Sequence, residues 1–471
     1  MILASGTQRR LIEKATNLKA LRRAFRAEPL LPAEMEFYVD SLNARRGGSS
    51  TRRISQHLLQ AAEDGFFFKG VIFGNRGTGK STEINRLLEQ SDILERFAPI
   101  RMDATLQLNP QSFSVADVFI LLMVNLIEGC AIECERRHLR FHDQAAIFGD
   151  IQERIAPFFP ELQRKTQTTD TTGGAAELNL KLIKLSIRTE GQRKVDLVQD
   201  RELLTGLEQA LDALITRLKE FLPNHELLVI GENFDKEAIP PRLLEETFVQ
   251  YSALLQSLRL HFLFTLPVPF IYSNTSYLPF HRENRYPIYD VPVYQEDNSD
   301  DDIGISALRE FVARRVDVHS LIDTDALLHL IRGSGGDLYL LCALVINAGE
   351  NAMFRHEDDH STPDKLMIED AQQAVAAQLS IFRNEMGTGP NDPDTSTWEQ
   401  KRARLYSLYQ REKGADVPDQ VLYELIRRRA VLYCNGTGRY AVHPLAVQML
   451  VEQLSADPGF HYTGGGLTPK P

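Results

Sequence analysis

Apolar and polar positions follow two different patterns along the chain. Short apolar runs recur through the first two thirds: KGVIFG, FAPIRMDA, HELLVIGENFD, HFLFTLPVPF and YPIYDVPVY. Longer stretches between them carry apolar residues at the 3.6-residue spacing of a helix, most clearly LLTGLEQALDALITRLKEFL. Unbroken apolar runs that alternate with helices are typical of a parallel sheet covered by helices on both faces. The pattern therefore predicts an α/β fold with a three-layer parallel sheet.

The same pattern divides the first 300 residues into a helical segment and a core. Residues 1–60 are predicted to be helical, and residues 61–300 to contain the sheet. At about residues 140–192 the alternation is interrupted by proline, threonine and glycine and by LNLKLIKLSIR, whose apolar phase slips. We interpret that stretch as an insertion that holds a hairpin or a bulged strand.

After residue 300 the pattern changes to helices, and residues 301–385 are predicted to form a helical lid. Beyond the polar linker GTGPNDPDTST, residues 398–456 contain two helical runs and then VLYC and RYAV on either side of NGTG, which is a hairpin signal. Helices followed by a hairpin predict a winged-helix-like domain. Residues 457–471, with three glycines and PKP, are predicted to be a disordered tail.

Composition places the chain among ordinary soluble proteins, with 43% hydrophobic and 25% charged residues. The net charge of −11, from 53 basic and 64 acidic side chains, argues against broad coating of nucleic acid. The longest apolar runs fall short of a membrane span and the N-terminus lacks a long apolar segment, so no membrane partner and no secretion are predicted. The four cysteines do not form a metal-binding set and are interpreted as reduced residues of a cytoplasmic protein.

One segment carries a specific chemical motif. GNRGTGKS places Gly74, Gly79, Lys80 and Ser81 at the spacing G-x-x-x-x-G-K-[ST], directly after an apolar strand and before a helix. Glycines here, with Gly77, let phosphates approach the backbone, whose N–H groups present partial positive charge. Lys80 would bridge the β- and γ-phosphates, and the Ser81 hydroxyl would ligate Mg²⁺. We predict binding of a nucleoside triphosphate, ATP with Mg²⁺, by Gly74, Asn75, Arg76, Gly77, Thr78, Gly79, Lys80, Ser81 and Thr82.

Two acids follow the apolar run LLVI. Holding Mg²⁺ and activating water require carboxylates at the tip of a buried strand, and LLVIGENFDK offers Glu232 and Asp235. Aligned with the form D-x-L-D-K, Glu232 is the acid on the metal side and Asp235 the residue that polarises water. The predicted metal ligands are therefore Ser81 and Glu232. Gly231 stands in a slot where aspartate is common, and a solvated loop after a strand is the alternative interpretation.

Later residues extend the predicted site. Thr265 ends HFLFT, where its hydroxyl could sense the γ-phosphate, or where a β-branched residue simply suits a strand. Arg282 and Arg285 follow in FHRENRYP, and an arginine presented to a neighbouring subunit's phosphate would be a finger. A solvated basic loop is the plainer interpretation of both. The predicted catalytic residues are Asp235, Glu232, Thr265 and Arg285.

Together with GTGKSTEINRL, these residues resemble the AAA+ and STAND (signal-transduction) ATPases of the additional-strand P-loop class, over about residues 36–455. FYVDSLNARRG before the loop and NGTGRYAVHPLAVQML near the end are also similar to bacterial ATPases of this group. The resemblance implies a strand inserted between the P-loop strand and the strand that carries the acids, and then a helical lid. It also implies an ATPase that converts ATP and water to ADP and phosphate. Many relatives work beside a partner effector, some of them in antiphage defence.

Two departures from that group bear on turnover. In SGGDLYLL, where the group usually has an arginine that contacts the γ-phosphate, this chain has Tyr339. The first acid after the strand is Glu232 rather than aspartate. Both favour slow hydrolysis, and hence a nucleotide-dependent switch or assembly factor that acts with a protein effector or as a homo-oligomer.

The alternative is a DNA-binding ATPase of the initiator or transposition-regulator type. IRRRA places Arg427, Arg428 and Arg429 in the predicted C-terminal domain, where they would meet nucleic-acid phosphates. Winged-helix folds also bind proteins, so the fold does not decide between the two. A small-molecule kinase is disfavoured because small P-loop kinases usually lack a long helical lid followed by a winged helix. His443 is interpreted as structural.

Overall fold

The structure is a computed structural model. It describes residues 11–142, 146–147, 149, 201–387, 394–435, 440–455, 460–463 and 466–469. The predicted insertion, at about residues 140–192, lies almost entirely outside these ranges, and LNLKLIKLSIR lies wholly outside them.

The chain divides into two units according to its internal contacts. The first, which we call the sheet unit, comprises Ser50–Phe73 and Arg86–Pro287. The second, the loop-and-helix unit, comprises Met1–Ser49, Gly74–Asn85 and Ile288–Pro471. The glycine-rich motif therefore belongs to the same unit as the helices that follow residue 300.

Five parallel strands form the sheet of the sheet unit, in the order β2-β3-β4-β1-β5. Strand β4 lies between β1, which precedes the glycine-rich loop, and β3, which carries the predicted acids, so the expected inserted strand is confirmed. Strands β1 and β4 are buried at every position, as central strands of a covered parallel sheet should be. The strands are β1 Lys69–Phe73, β2 Phe97–Asp103, β3 Glu226–Glu232, β4 His261–Leu266 and β5 Arg285–Pro287.

Helices follow the predicted apolar periodicity in both units, including the four expected in residues 301–385 (α11, α13, α14 and α15 below). They are α1 Leu21–Ala24, α2 Ser50–Glu63, α3 Lys80–Leu87, α4 Ser91–Arg96, α5 Ala104–Gln107, α6 Val115–Arg136, α7 Arg201–Phe221, α8 Pro241–Glu245, α9 Ser252–Ser257, α10 Val268–Ser273, α11 Asp302–Arg315, α12 Val318–Leu321, α13 Thr324–Ser334, α14 Leu338–Asp358, α15 Ile368–Glu385, α16 Trp398–Tyr409, α17 Gln420–Arg427 and α18 Pro444–Ser455. The described set is completed by short 3₁₀-helices at Leu18–Ala20, Pro32–Phe37, Asp40–Ala44 and Arg282–Asn284 and by a π-helical turn at Glu246–Gln250.

Helix α6 is the most apolar helix of the described residues. Ser114 and Asp117 form a capping box at its start, since each side chain accepts a hydrogen bond from the backbone N–H of the other. By length and composition α6 could cross a membrane, but 67% of its most apolar window is buried inside the protein. It packs on α7 and β2, which is the behaviour of a core helix.

The loop-and-helix unit is built on α13, α14 and α15, which pack on one another. Helices α16 and α17 follow, then the antiparallel hairpin of β6 (Val431–Tyr433) and β7 (Tyr440–Val442), in which Val431 pairs with Val442, and then α18. The hairpin predicted around NGTG is therefore confirmed. The tail predicted to be disordered contains two short antiparallel strands, β8 (Phe460–Thr463) and β9 (Gly466–Pro469).

YPIYDVPVY departs from its prediction as a single sheet strand. Only residues up to Pro287 belong to β5. From Ile288 the chain belongs to the loop-and-helix unit, and the backbone N–H of Asp290 donates to the carbonyl oxygen of Tyr433 at 2.8 Å. The second half of the apolar run therefore extends along the C-terminal hairpin instead of the sheet.

Candidate nucleotide-binding site

The phosphate loop, residues 74–80, follows β1 and leads into α3, and its shape depends on glycine. Gly77 has φ of 88° and Gly79 has φ of 93°, which are left-handed conformations that residues with side chains rarely adopt. A Cβ on Gly77 would also lie 2.6 Å from the Cβ of Tyr339. On Gly79 the nearest atom to such a Cβ would be Nη1 of Arg46, at 4.0 Å. Glycine at 77 thus permits close packing, and glycine at 79 leaves room beside the loop.

The Lys80 side chain folds back onto the phosphate loop. Its ammonium group is buried and donates to the carbonyl oxygens of Gly74, at 2.9 Å, and Asn75, at 2.7 Å. The Thr78 hydroxyl donates to the same Asn75 oxygen at 2.9 Å. Because Lys80 is also the first residue of α3, its cation adds to the partial positive charge of the helix N-terminus. This combination suits a phosphate group.

The first turn of α3 carries two hydroxyls of the predicted site. Thr82 Oγ1 accepts a hydrogen bond from the backbone N–H of Leu30 at 3.2 Å, which ties the N-terminal segment to the helix. Ser81 is half-buried in the same turn, where its hydroxyl would hold Mg²⁺. In the part of the chain that the structure describes, no group of three or more histidine, cysteine, aspartate or glutamate side chains is arranged to hold a metal ion.

A buried carboxyl connects the phosphate loop to the C-terminal hairpin. Asn75 Nδ2 donates to Oδ2 of Asp290 at 2.6 Å, and the backbone N–H of Tyr433 donates to the same oxygen at 2.8 Å. Asp290 is 2% exposed, and burial raises its pKa to about 7, with the charge of Asp337 contributing in the same direction. Sequence reasoning did not identify Asp290, because no local pattern places a residue 215 positions away from Asn75.

Replacing Asp290 by asparagine should change how stability depends on pH. The folded-state pKa is raised, so between about pH 4 and pH 7 the folded protein binds more protons here than the unfolded chain, and this group's contribution to stability falls as pH rises. Asparagine can place its carbonyl oxygen where Oδ2 accepts both hydrogen bonds, without the charge. The difference in unfolding free energy, Asp290→Asn minus wild type, should therefore grow from about pH 4 to about pH 7 and then level off in urea titrations. A difference that is constant with pH would contradict this assignment.

Tyr339, where the resemblance led us to expect arginine, lies near two arginines. The guanidinium carbon of Arg76 lies 5.3 Å from the ring centroid of Tyr339, and that of Arg429 lies 5.0 Å from it. Arg429 also donates from Nη1 to Oδ2 of Asp337 at 2.9 Å. Arg429 has a positive φ of 56°, an uncommon conformation for a residue with a long side chain. Two cations therefore lie near the tyrosine that packs on Gly77, and one of them, Arg429, lies between α17 and β6.

The carboxyl ends of β2, β3 and β4 gather polar side chains in the sheet unit. Thr265 Oγ1 donates to Oδ1 of Asp235 at 3.3 Å, so these two predicted site residues are brought together. Asp103, at the end of β2, accepts a hydrogen bond from Asn233 at 2.6 Å. Asp103 lies near the end of the apolar run FAPIRMDA and is not among the residues predicted for the site. Oε2 of Glu232 lies 2.8 Å from Nη1 of Arg101, so the first predicted acid forms an ion pair with the neighbouring strand.

Aromatic packing explains why glycine precedes Glu232. A Cβ on Gly231 would lie 2.1 Å from the ring of Phe264 on β4. The Phe264 ring in turn contacts Phe234, which is fully buried between the two acids along the chain. The ring leaves no space for an aspartate at position 231, and Phe234 anchors the segment that presents Asp235. The first acid therefore stands one residue later than is common.

Gly231→Ala should destabilise the sheet unit by about 1–3 kcal/mol, because the methyl group must displace a packed ring. Gly206→Ala is the matched control: Gly206 lies exposed within α7 with nothing within 4 Å of the added Cβ. That substitution should be stabilising by about 0.5–1 kcal/mol, because alanine favours a helix. Equal effects of the two substitutions on the urea midpoint would contradict the packing argument.

Two other predicted residues make local contacts. The Arg285 guanidinium donates to the carbonyl oxygens of Phe280 and Thr275, and burial lowers its pKa. To act as an arginine finger, Arg285 would have to break these hydrogen bonds. Arg282, the other candidate, is exposed. His443 is buried beside the carbonyl oxygen of Ser334 at 3.1 Å, and burial lowers its pKa to about 4, consistent with a structural role.

No family model matches the chain, and no curated protein matches it. Among solved structures it is similar to the Aeropyrum pernix Orc1 protein in complex with DNA, with 14% identity, covering 87% of this chain and 92% of that chain at a TM-score of 0.35. It is also similar to Cdc6p from Pyrobaculum aerophilum, with 10% identity, covering 86% and 93% at a TM-score of 0.38. Because both TM-scores are low, these likenesses carry no argument. The fold and the proposals therefore depend on the strand order and on the contacts described above.

Proposed function

We propose that this protein is an ATP-binding ATPase of the AAA+ and STAND type that acts as a nucleotide-dependent switch. The observation that carries the proposal is the connection of the phosphate loop to the C-terminal hairpin and to Arg429. Asn75 is joined to the hairpin through Asp290, and Gly77 packs against Tyr339, which contacts Arg429. A phosphate bound at the loop would therefore affect both the contact through Asp290 and the contact through Tyr339.

The contacts of Lys80 support a change on binding. Its ammonium donates to carbonyl oxygens of the loop, and a phosphate would compete for the same donor. The backbone carbonyl oxygen of Asn75 would then lose its hydrogen bond from Lys80, while the Asn75 side chain still donates to Asp290. A ligand shifts a conformational equilibrium only through differential contacts, and these residues supply them. ATP would contribute the phosphate charge, and the chain would contribute the loop, Lys80 and the Ser81 hydroxyl.

Hydrolysis is the second part of the proposal. Asp235 is assigned to water activation and Glu232 to the metal side, with Thr265 as the hydroxyl that senses phosphate. The hydrogen bond between Thr265 and Asp235 supports their joint role. The ion pair of Glu232 with Arg101 favours slow turnover, because the carboxylate would have to leave that partner to act on a metal ion. The partner, a protein effector or a second copy, and a role in antiphage defence are proposals that the resemblance alone supports.

DNA binding is the alternative function, and the three arginines of IRRRA bear on it. Arg427 and Arg428 both form ion pairs with Asp394, and Arg429 does so with Asp337. For DNA phosphates to use these cations, the two aspartates would have to release them. ATP-dependent retention on duplex DNA that declines steeply with salt would favour this alternative, and a flat titration at low salt would remove it.

Calorimetric titration with ATP and with ADP, in the presence of Mg²⁺, tests the proposed function. We expect saturable binding of both nucleotides at one site per chain. Light scattering after gel filtration, with and without a non-hydrolysable ATP analogue, then separates a protein that assembles with nucleotide from one that stays monomeric. Absence of nucleotide binding by the folded wild-type protein would overturn the proposal.

A further inference from the structure

A buried arginine beside the phosphate loop has two guanidinium nitrogens that make no hydrogen bond. Arg46 follows the 3₁₀ turn Asp40–Ala44, and its backbone N–H donates to the carbonyl oxygen of Asn43 at 3.2 Å. The residue is 5% exposed. Its Nε and Nη2 atoms are buried and make no hydrogen bond.

Acidic and phenolic groups near Arg46 are occupied by other partners. Glu83 Oε1 accepts a hydrogen bond from the hydroxyl of Tyr38 at 2.7 Å. Oδ2 of Asp290 accepts from Asn75 and from Tyr433. Glu83, Tyr38 and Asp290 act to raise the pKa of Arg46, but the larger effect of burial lowers it. Leaving two buried guanidinium nitrogens without hydrogen bonds is costly, so Arg46 calls for a partner that the described residues do not provide.

The position of Arg46 indicates what that partner is. Its Nη1 atom is the nearest neighbour of the space beside Gly79, 4.0 Å from where a Cβ on that glycine would sit. Gly79 immediately precedes Lys80, whose ammonium lies on the same loop. The guanidinium thus borders the space next to the backbone that is predicted to cradle phosphate.

We propose that Arg46 is a phosphate-binding residue of the nucleotide site, contributed by the segment N-terminal to the sheet. The proposal rests on the proposed function, since it presumes that the phosphate loop binds ATP or ADP. A guanidinium offers several N–H donors in a planar fork that fits phosphate oxygens, whereas Lys80 offers a point charge. The two cations therefore supply different geometry to the same phosphates. Before binding, the unsatisfied Nε and Nη2 atoms are a cost to stability that the ligand relieves.

Arg46→Met tests the proposal, because methionine keeps much of the length but removes the buried charge. Affinities for ATP, ADP and inorganic triphosphate would be measured by competition against a fluorescent ADP analogue. We expect all three to fall by about tenfold or more, since charge-assisted hydrogen bonds are lost. The melting temperature without ligand should stay equal to that of the wild type or rise, because an unpaired buried charge has been removed.

Arg45→Met is the matched control, one residue earlier along the chain. Arg45 forms an ion pair with Asp301, which is 1% exposed, so its loss should lower the melting temperature while leaving nucleotide affinity within about twofold. Arg46→Met should therefore weaken nucleotide binding without lowering the melting temperature, whereas Arg45→Met should lower the melting temperature with little change in binding.

Three outcomes would overturn the role of Arg46. Unchanged affinities in Arg46→Met would show that it does not contact the ligand. Loss of ATP and ADP affinity with unchanged affinity for triphosphate would place it against the base or ribose instead. A lower melting temperature with equal affinity would make it structural. If the wild type binds no nucleotide at all, the proposed function fails first, so the two failures are distinguishable.

Discussion

Replacing Lys80 by alanine is expected to lower affinity for both ATP and ADP by about 100-fold or more. The ammonium group is the full positive charge at the start of α3, and it would interact with phosphates at a largely buried position. Charge-assisted hydrogen bonds contribute about 1.5–3 kcal/mol each, and about 2.7 kcal/mol corresponds to a 100-fold change in Kd. Calorimetric titration with each nucleotide measures the effect.

Lys413→Ala is the control for Lys80→Ala, because Lys413 is exposed in the same unit. It should bind ATP as the wild type does. The melting temperature of each variant without ligand shows whether it is folded, since Lys80 also donates to two loop carbonyls. Wild-type ATP affinity in folded Lys80→Ala protein would show that the loop is not the nucleotide site.

Asp235→Asn is expected to reduce the rate of ATP hydrolysis by about 100-fold or more while ATP affinity stays within about threefold. Asparagine can still accept the hydrogen bond of Thr265 but cannot take a proton from water. The variant should therefore hold ATP without turning it over. Release of phosphate in steady state, together with a separate titration of ATP, measures both quantities.

Glu237→Gln, two residues further along the chain and exposed, controls for the loss of one negative charge in this segment. It should hydrolyse ATP at the wild-type rate. If Asp235→Asn also turns over ATP at that rate, Asp235 does not activate water. Glu232 or Asp103 would then be the next carboxylate to examine, because both end neighbouring strands.

The sheet could be predicted from the sequence because its strands are apolar on both faces. KGVIFG and HFLFT became β1 and β4, which are buried at every position. The position of β4 between β1 and β3 is what the resemblance implies. The hairpin around NGTG was also predictable, because short-range turn chemistry determines it.

Other features depend on contacts between distant residues and leave no local pattern. The second half of YPIYDVPVY left the sheet because Asp290 pairs with Tyr433, more than 140 positions away. The displacement of the first acid to Glu232 follows from a ring on another strand, at Phe264. Arg429, which the alternative function would place against nucleic-acid phosphates, lies against Asp337 and the ring of Tyr339.

Arg46 shows a further limit of sequence reasoning. It lies in FYVDSLNARRGG, a segment that contributes to the resemblance but whose arginines carry no predicted chemistry. Arg46 is buried, whereas Arg45 is half-buried and forms an ion pair with Asp301, and two adjacent arginines in a sequence reveal neither difference.

Hydrogen exchange at the C-terminal hairpin shows whether nucleotide at the phosphate loop acts on that hairpin. Saturating ATP with Mg²⁺ should change the exchange rates of amides in Val431–Tyr433 and Tyr440–Val442 in the wild type, because Asp290 joins this hairpin to Asn75 of the phosphate loop. The same addition should leave the exchange rates of Lys80→Ala unchanged. Identical exchange in the hairpin of the wild type with and without bound ATP would contradict the proposed switch.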